Sequence, residues 1–202
     1  GGGMIEREKE KIRDAVRSAL VAIDEEALAA QSALAQTRAL ALDVWKTART
    51  AALYLPLPRE VGTEAILARC RQQGTRVCVP CRRPDAADGY AFGWMDDETE
   101  LQRGPWGILE PRAPEWADKA AIDVVVTPGL AFDRGGGRLG HGRGFYDRLL
   151  SGENARNATR IGLAFAVQLV EKVPMGPADV RMHAVATPGE TAITEGRTTC
   201  LQ

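Results

Sequence analysis

Apolar residues recur at intervals of seven, four, four and three positions from Ile5 to Ile23, and charged residues fill most of the positions between them. This spacing is typical of an amphipathic helix with one buried face. Asp24 follows as a candidate N-cap, and Glu25 and Glu26 place negative charge in the next turn, where the helix dipole favours it. The pattern therefore predicts a second helix that runs from Asp24 to about Trp45.

Short apolar runs form the second pattern, and they predict buried strands. They lie at 51–55, 75–79, 90–95, 122–127 and 160–166, with a weaker run at 183–187. A third helix is predicted over 64–73, with Thr63 as its N-cap and Gly74 at its end. Because strands alternate with helices, we expect a three-layer α/β/α fold with a mostly parallel sheet and helices on both faces, in one domain over 4–202.

The least regular stretch is 80–120, which is rich in Pro, Gly and Asp and carries Trp94, Trp106 and Trp116. Turn-forming residues at this density interrupt an alternating strand and helix pattern. We therefore expect an antiparallel excursion or a lid in this part of the chain.

Composition narrows the class of protein. The chain has 202 residues and a formal net charge of −1, so it has no general attraction for nucleic acid or an anionic membrane. No apolar run is long enough to cross a bilayer, and the start lacks the apolar core of a secretory signal. We expect a cytoplasmic, monomeric protein that acts on small molecules, and we interpret the glycines before Met4 as an expression remnant.

Cys78 and Cys81 form a Cys-x-x-Cys pair, a spacing found in redox motifs and in zinc sites. The surrounding residues are typical of a buried strand and its exit, whereas a redox pair opens a helix. The sequence contains no second such pair to complete a zinc site. We therefore interpret both cysteines as structural.

The most informative stretch is 124–150. Six of the 21 glycines fall within 135–144, interleaved with Arg138, His141 and Arg143. Glycines let the backbone approach a ligand closely, so amide groups can bind an anion while arginines add charge. The pattern predicts a phosphate site, although a flexible connection with solvated arginines is the alternative.

The residues around this loop refine the prediction. A continuous β-branched run precedes it and a helix is expected to open at Phe145, so the loop leaves the carboxyl end of a strand, where open α/β sheets bind ligands. The spacing matches neither the P-loop nor the dinucleotide fingerprint. Asp147 is the carboxylate of the helix opening and a candidate Mg²⁺ ligand beside phosphates.

The ordered motifs of the chain resemble those of the 5-formyltetrahydrofolate cyclo-ligase family, also called methenyltetrahydrofolate synthetases. The resemblance extends from Lys9 to about Thr187, and its longest part is the Gly/Arg stretch. The matching residues are Lys9 and Arg13; Tyr54, Pro56 and Glu60; Gly107, Ile108, Glu110 and Pro111; 128–133 and 137–147; Ala164, Phe165 and Gln168; and Asp179.

The resemblance implies a ligase that uses ATP and Mg²⁺ to cyclise 5-formyltetrahydrofolate to 5,10-methenyltetrahydrofolate, with release of ADP and phosphate through a phosphorylated formyl (iminium phosphate) intermediate. It implies catalytic roles for Arg138, Arg143 and Tyr146, and Mg²⁺ ligation by Asp147 and Asp179. The ATP-binding residues that it implies are Lys9, Arg13, Arg138, Leu139, Gly140, His141, Gly142, Arg143, Gly144, Phe145 and Tyr146. The folate-binding residues that it implies are Leu55, Glu60 and Trp106.

Some features leave alternatives open. Phe145, Gly62 and His183 depart from the usual family pattern, and Trp106 could equally be an ordinary buried aromatic. On spacing alone, Lys9 and Arg13 could lie on a solvated helix face, and His141 and His183 are more typical of structural histidines. A paralogue that acts on another formylated or pterin-like compound, and a non-catalytic folate-binding module, are the alternative functions.

Overall fold

A seven-stranded sheet forms the centre of the protein, which a computed structural model describes over residues 2–152 and 157–194. The described strands are β1 (Thr50–Ala52), β2 (Arg76–Arg82), β3 (Tyr90–Met95), β4 (Leu101–Arg103), β5 (Leu109–Pro111), β6 (Val124–Thr127), β7 (Ala131–Phe132), β8 (Arg138–Leu139), β9 (Thr159–Leu163), β10 (Ala184–Ala186) and β11 (Thr191–Ile193). The strand order in the sheet is β11-β10-β9-β6-β1-β2-β3. The inner strands pair in parallel, while β3 and β11 join the two edges in antiparallel fashion.

Helices cover both faces of this sheet, and the fold is the α/β class that the sequence predicts. The described α-helices are α1 (Gly2–Val21), α2 (Glu25–Leu40), α3 (Glu64–Gln73) and α4 (Phe145–Leu150). The crossover from β1 to β2 contains α3, and the crossover from β6 to β9 contains α4. These crossovers run in opposite directions along the sheet, so right-handed connections place α3 and α4 on opposite faces. None of the helices in the described ranges has both the length and the apolar character needed to cross a membrane.

The second helix begins where the sequence predicts and ends earlier. Asp24 caps it, because its Oδ1 accepts a hydrogen bond from Ala27 N–H (2.8 Å). The expected continuation to Trp45 is wrong, because α2 ends at Leu40 and a short 3₁₀ turn follows. The fully buried Trp45 indole folds back to donate to the Ala39 carbonyl (2.9 Å), which requires the chain to reverse here.

The third helix has the predicted bounds but a different cap. Gly74 ends it in the left-handed conformation (φ 74°), as expected. Thr63 occupies the N-cap position, but its hydroxyl donates to the Tyr54 carbonyl (2.9 Å), so the predicted cap is wrong. Gln36 takes over this role from α2, since its side-chain oxygen accepts from Ala65 N–H (2.8 Å). A contact between two helices therefore replaces the local cap.

The irregular stretch 80–120 contains the expected antiparallel excursion. The strand β3 returns along β2, and β4 pairs with β5 in a separate hairpin over residues 101–111, which we call the Trp106 hairpin. Cys78 and Cys81 lie within β2, and burial raises the pKa of their thiols to about 12 and about 11. In the described ranges, no group of three or more His, Cys, Asp and Glu side chains is arranged to hold a metal. Both cysteines are structural.

Candidate functional site

A cavity of about 260 Å³ lies where the chain leaves the carboxyl ends of β1 and β6. Loops collect at this edge because parallel strands all end there. The cavity is lined by every residue that the sequence predicted as a ligand-binding, catalytic or metal-binding residue: Lys9, Arg13, Leu55, Glu60, Trp106, Arg138, Leu139, Gly140, His141, Gly142, Arg143, Gly144, Phe145, Tyr146, Asp147 and Asp179. It is also lined by residues that the sequence did not single out as site residues: Glu6, Tyr54, Leu57, Pro80, Ile108, Leu109, Pro128 and Gly129.

The first glycines of the run do not line the cavity. Residues 133–137, which we call the Asp133 turn, join β7 to β8 around a buried carboxylate. Asp133 Oδ1 accepts from Gly135 N–H (2.9 Å) and Gly137 N–H (2.8 Å), and Oδ2 accepts from Val173 N–H (2.8 Å). The prediction that the whole glycine run binds a ligand is therefore wrong, because the amides of Gly135 and Gly137 already bind a side chain of the protein.

The later glycines do border the cavity. Residues 140–144, which we call the cavity loop, lie beside α1, where Arg13 Nε–H donates to the Gly140 carbonyl (2.9 Å). Gly144 precedes α4 in the left-handed conformation (φ 64°). Helix α4 begins at Phe145 as predicted, but it has only six residues, and a helix this short develops little dipole. Attraction for an anion here therefore comes mainly from side-chain charge.

Arg138 is a buried charge of the site, with 7% of its surface exposed. Its Nε–H donates to the Pro128 carbonyl (2.7 Å), and its guanidinium lies 4.9 Å from the centre of the Tyr146 ring. Burial lowers the pKa of Arg138, and the nearby carboxylates Asp147 and Glu60 act in the opposite direction. An anion in the cavity would relieve this cost of burying a cation.

The segment that binds Arg138 through the Pro128 carbonyl is itself held by a buried side chain, Gln168. The sequence did not indicate a role for this residue. Gln168 donates through Nε2 to the carbonyls of Gly129 (2.9 Å) and Leu130 (3.2 Å). Its Oε1 accepts from Phe165 N–H (2.8 Å). Gln168 therefore ties the connection after β6 to the connection after β9.

Helix α1 brings two cations to the cavity because Lys9 and Arg13 are one turn apart. Lys9 Nζ binds Asp179 Oδ2 (2.7 Å), and Arg13 binds Glu6 (2.9 Å) and Glu10. Glu6 was missed by the sequence reasoning, although it lies two turns before Arg13 on the same helix. The solvated-face interpretation of Lys9 and Arg13 is wrong, since the side chain of Lys9 is 13% exposed and that of Arg13 is 5% exposed.

Two carboxylates border the cationic side of the cavity. Asp179 Oδ2 accepts from Gly176 N–H (2.8 Å), and Asp147 Oδ1 accepts from Val180 N–H (2.9 Å). Burial alone would raise the pKa of Asp179, but the hydrogen bond from Gly176 and the charge of Lys9 lower it. Asp179 is therefore an anion near neutral pH.

A second group of residues at the cavity is aromatic. Trp106 is 45% exposed and has a positive φ of 58°, so the interpretation as a buried aromatic is wrong. The guanidinium of Arg143 lies 4.3 Å from the centre of the Trp106 ring. Tyr90 stacks beside Trp106 with 6.4 Å between ring centres and contacts Phe145 edge-on at 4.4 Å. The phenyl ring of Phe145 thus fills a packed position next to the cavity.

Glu60 is a further carboxylate that lines the cavity. Its Oε1 accepts from Leu57 N–H (2.7 Å). Burial raises the pKa of Glu60, while that hydrogen bond and the charge of Arg138 act to lower it. Tyr54 lies next to Leu55 and donates its hydroxyl to the Val61 carbonyl (2.6 Å), which closes the loop that carries Glu60.

The two histidines differ. Partial burial lowers the pKa of His141, and the surrounding arginines, among them Arg17 and Arg138, lower it further. His183 lies away from the cavity and accepts a hydrogen bond at Nδ1 from Arg160 N–H (2.9 Å). The structural interpretation fits His183, whereas His141 lines the cavity.

The sequence model of the 5-formyltetrahydrofolate cyclo-ligase family matches residues 5–188. The chain belongs to this family. The 5-formyltetrahydrofolate cyclo-ligase of Escherichia coli strain K12 is 33% identical over 158 residues, which cover 77% of this chain and 87% of the relative. The cyclo-ligase of Mycolicibacterium smegmatis is 38% identical over 146 residues, or 69% of this chain and 74% of the relative.

A solved member of the family has the same fold. The NMR structure of the Aquifex aeolicus 5,10-methenyltetrahydrofolate synthetase superposes with a TM-score of 0.79 at 25% identity, covering 94% of this chain and 95% of that one. These comparisons confirm the family resemblance and the α/β fold. They also show that the chain is a folate-related ligase.

Proposed function

We propose that this chain cyclises 5-formyltetrahydrofolate to 5,10-methenyltetrahydrofolate at the expense of ATP, with Mg²⁺, and releases ADP and phosphate. The observation that carries the proposal is one cavity lined by two unlike groups of residues. The first group is the cations Lys9, Arg13 and Arg138, and the second is Trp106 with Glu60. A polyphosphate fits the first group by charge, and a flat heterocycle with N–H groups fits the second.

The reaction requires activation of a poor leaving group. In the proposed sequence the formyl oxygen attacks the γ-phosphorus of ATP, ADP leaves, and the N5 iminium phosphate forms. N10 then attacks the formyl carbon and loses its proton, and phosphate departs with the original formyl oxygen. Phosphoryl transfer of this kind asks the protein for positioning and for neutralisation of charge, and not for a covalent nucleophile.

Arg138 is best suited to neutralise the transferred phosphoryl group. Its Nε–H holds the Pro128 carbonyl, so the guanidinium is fixed before a ligand arrives. Tyr146 packs against Arg138, and burial raises the pKa of its phenol, with Glu60 adding to the effect. The phenol therefore keeps its proton at neutral pH and can donate a hydrogen bond to a phosphate or formyl oxygen.

The carboxylates fit a magnesium ion. Asp147 and Asp179 both line the cavity, and each uses one oxygen for the hydrogen bonds found among the described residues. Mg²⁺ is commonly held by one or two carboxylates together with phosphate oxygens and waters. Asp147 and Asp179 would hold the ion, which would supply neutralisation of phosphate charge at this place.

Glu60 and Trp106 are proposed to bind the pterin ring. The ring presents N–H and amino groups that a carboxylate accepts, and it presents a flat face that an indole stacks upon. Leu55 would add apolar contact. The cytoplasmic location and the monomeric state that the sequence indicates stay predictions.

A direct assay tests the function. Protein mixed with ATP, Mg²⁺ and 5-formyltetrahydrofolate should produce the near-ultraviolet absorbance of the methenyl product and an equal amount of ADP. Reactions without ATP or without Mg²⁺ serve as controls. Folate binding without ADP formation would favour the non-catalytic module, and turnover of another formylated compound alone would favour the paralogue.

A further inference from the structure

Glu110 is a buried carboxylate that the proposed reaction does not use. Only 6% of its surface is exposed, and it does not line the cavity, although its neighbours Ile108 and Leu109 do. A buried acid is costly unless hydrogen bonds compensate it. Glu110 Oε2 accepts from the backbone N–H of Arg82 (3.0 Å), at the end of β2.

The same carboxylate lies against the tip of the Trp106 hairpin. Glu110 is on β5 opposite Gln102 of β4. A Cβ placed on Gly104 would lie only 2.8 Å from the Glu110 Cδ, so the Gly104 backbone rests directly on the carboxylate. Gly104 N–H in turn donates to the Ile108 carbonyl (2.7 Å), which closes the turn that presents Trp106.

The contact with Arg82 leads to Tyr90, the aromatic residue that stacks beside Trp106. Arg82 pairs in register with Tyr90 of β3, and Tyr90 stacks on Trp106. The carboxylate of Glu110 therefore joins the backbone that carries Trp106 to the strand pair that carries Tyr90.

We propose that Glu110 is a positioning residue, which fastens the Trp106 hairpin to the end of β2 and so sets the pocket for the pterin ring. The substrate part of this inference rests on the proposed function. The positioning part does not, because it concerns the geometry of the ligand-free protein. Misplacement of a binding residue by a small distance lowers binding and rate without any loss of a substrate contact.

Four variants test the proposal. In Glu110→Ala, we expect the KM for 5-formyltetrahydrofolate to rise about tenfold while the KM for ATP changes little, because the Trp106 hairpin shifts while Lys9 and Arg138 keep their partners outside it. Glu110→Gln should recover most of the affinity, since its amide oxygen can still accept from Arg82 N–H. Gly104→Ala should imitate Glu110→Ala by pushing a methyl group into the carboxylate. Glu100→Ala is the matched control, because Glu100 precedes the same hairpin but is exposed and pairs with Arg112.

Hydrogen exchange of the ligand-free protein separates this proposal from the proposed function. The amides of Gly104 and Ile108 should exchange faster in Glu110→Ala and at the wild-type rate in Glu100→Ala. If the wild type turns over no folate, the proposed function fails while the exchange result still tests Glu110. If Glu110→Ala does not fold, the comparison is made with Gly104→Ala. Unchanged exchange and unchanged folate KM, or an equal rise in both KM values, would overturn the proposal.

Discussion

In the Asp133 turn the glycine amides bind a side chain of the protein, whereas in the cavity loop the glycines border open space beside Arg13 and Arg138. A Cβ on Gly136 would lie 2.2 Å from the Met182 carbonyl oxygen, while one on Gly140 would lie 3.4 Å from the Arg138 guanidinium. The first contact is impossible and the second is ordinary. Glycine therefore allows close packing in the Asp133 turn, whereas in the cavity loop it leaves space for a ligand.

The two aspartates of these regions differ in the same way. Asp133 uses both oxygens to accept three backbone N–H groups and is 5% exposed. Asp147 accepts one backbone N–H through Oδ1 and lines the cavity. A carboxylate whose oxygens are all engaged stabilises a turn, and a carboxylate with a remaining oxygen is available for a ligand.

The largest effect is expected at Arg138, which joins the two regions. Arg138→Gln should lower kcat/KM by about 10³-fold, as expected for loss of a fixed group that stabilises developing charge. Stability should fall little, because the variant no longer buries a charge. Exposed Arg112→Gln is the control. Wild-type turnover in Arg138→Gln would show that the guanidinium is structural.

The next effect separates the glycines. Gly136→Ala should lower the free energy of unfolding by about 3 kcal/mol, because a positive φ of 84° adds to the backbone collision. Gly140→Ala should change it by less than about 0.5 kcal/mol. Urea denaturation measures both. Equal loss of stability in the two variants would contradict the conclusion that Gly136 is needed for packing and Gly140 is not.

The aspartates provide the third test. Asp147→Asn should raise the Mg²⁺ concentration required for half-maximal turnover about tenfold or more. Asp133→Asn should instead lower the free energy of unfolding by about 2 kcal/mol, since an amide replaces a charged acceptor of several backbone bonds. Magnesium titrations and urea denaturation are run on both proteins. The assignment of Asp147 fails if its variant keeps the wild-type Mg²⁺ dependence.

The smallest effect concerns pH. The folded-state pKa of Asp179 is lowered, so its contribution to stability is present above its unfolded pKa, about 4, and is lost as the pH falls through the folded pKa. The urea midpoint should therefore drop less between pH 7 and pH 3 in Asp179→Asn than in the wild type. Asp14→Asn, at an exposed site on α1, is the control, and its urea midpoint should drop as much as that of the wild type. If the urea midpoint of Asp179→Asn dropped as much as that of the wild type, the ion pair between Lys9 and Asp179 would not contribute to the acid sensitivity.

Much of the site could be predicted from the sequence because its motifs are local. The spacing of Lys9 and Arg13, the order of residues 138–147 and the late Asp179 needed only comparison with a known family pattern. Trp106 was predicted as a site residue for the same reason. Its exposure and its contact with Arg143 were not predictable, since both depend on a hairpin that lies far from the cavity loop in the chain.

By itself, the sequence determined the alternation of strands and helices, the cap at Asp24 and the left-handed end at Gly74, and its match to a family pattern supplied most of the residues that line the cavity. The first three features depend on spacing and on the conformational preferences of single residues. Only the tertiary structure decided that Gln36 caps α3, that Asp133 occupies the first glycine amides and that Glu110 supports the Trp106 hairpin. In each case a buried polar group forms its hydrogen bonds with a partner that folding brings near. No local sequence pattern predicts that partner.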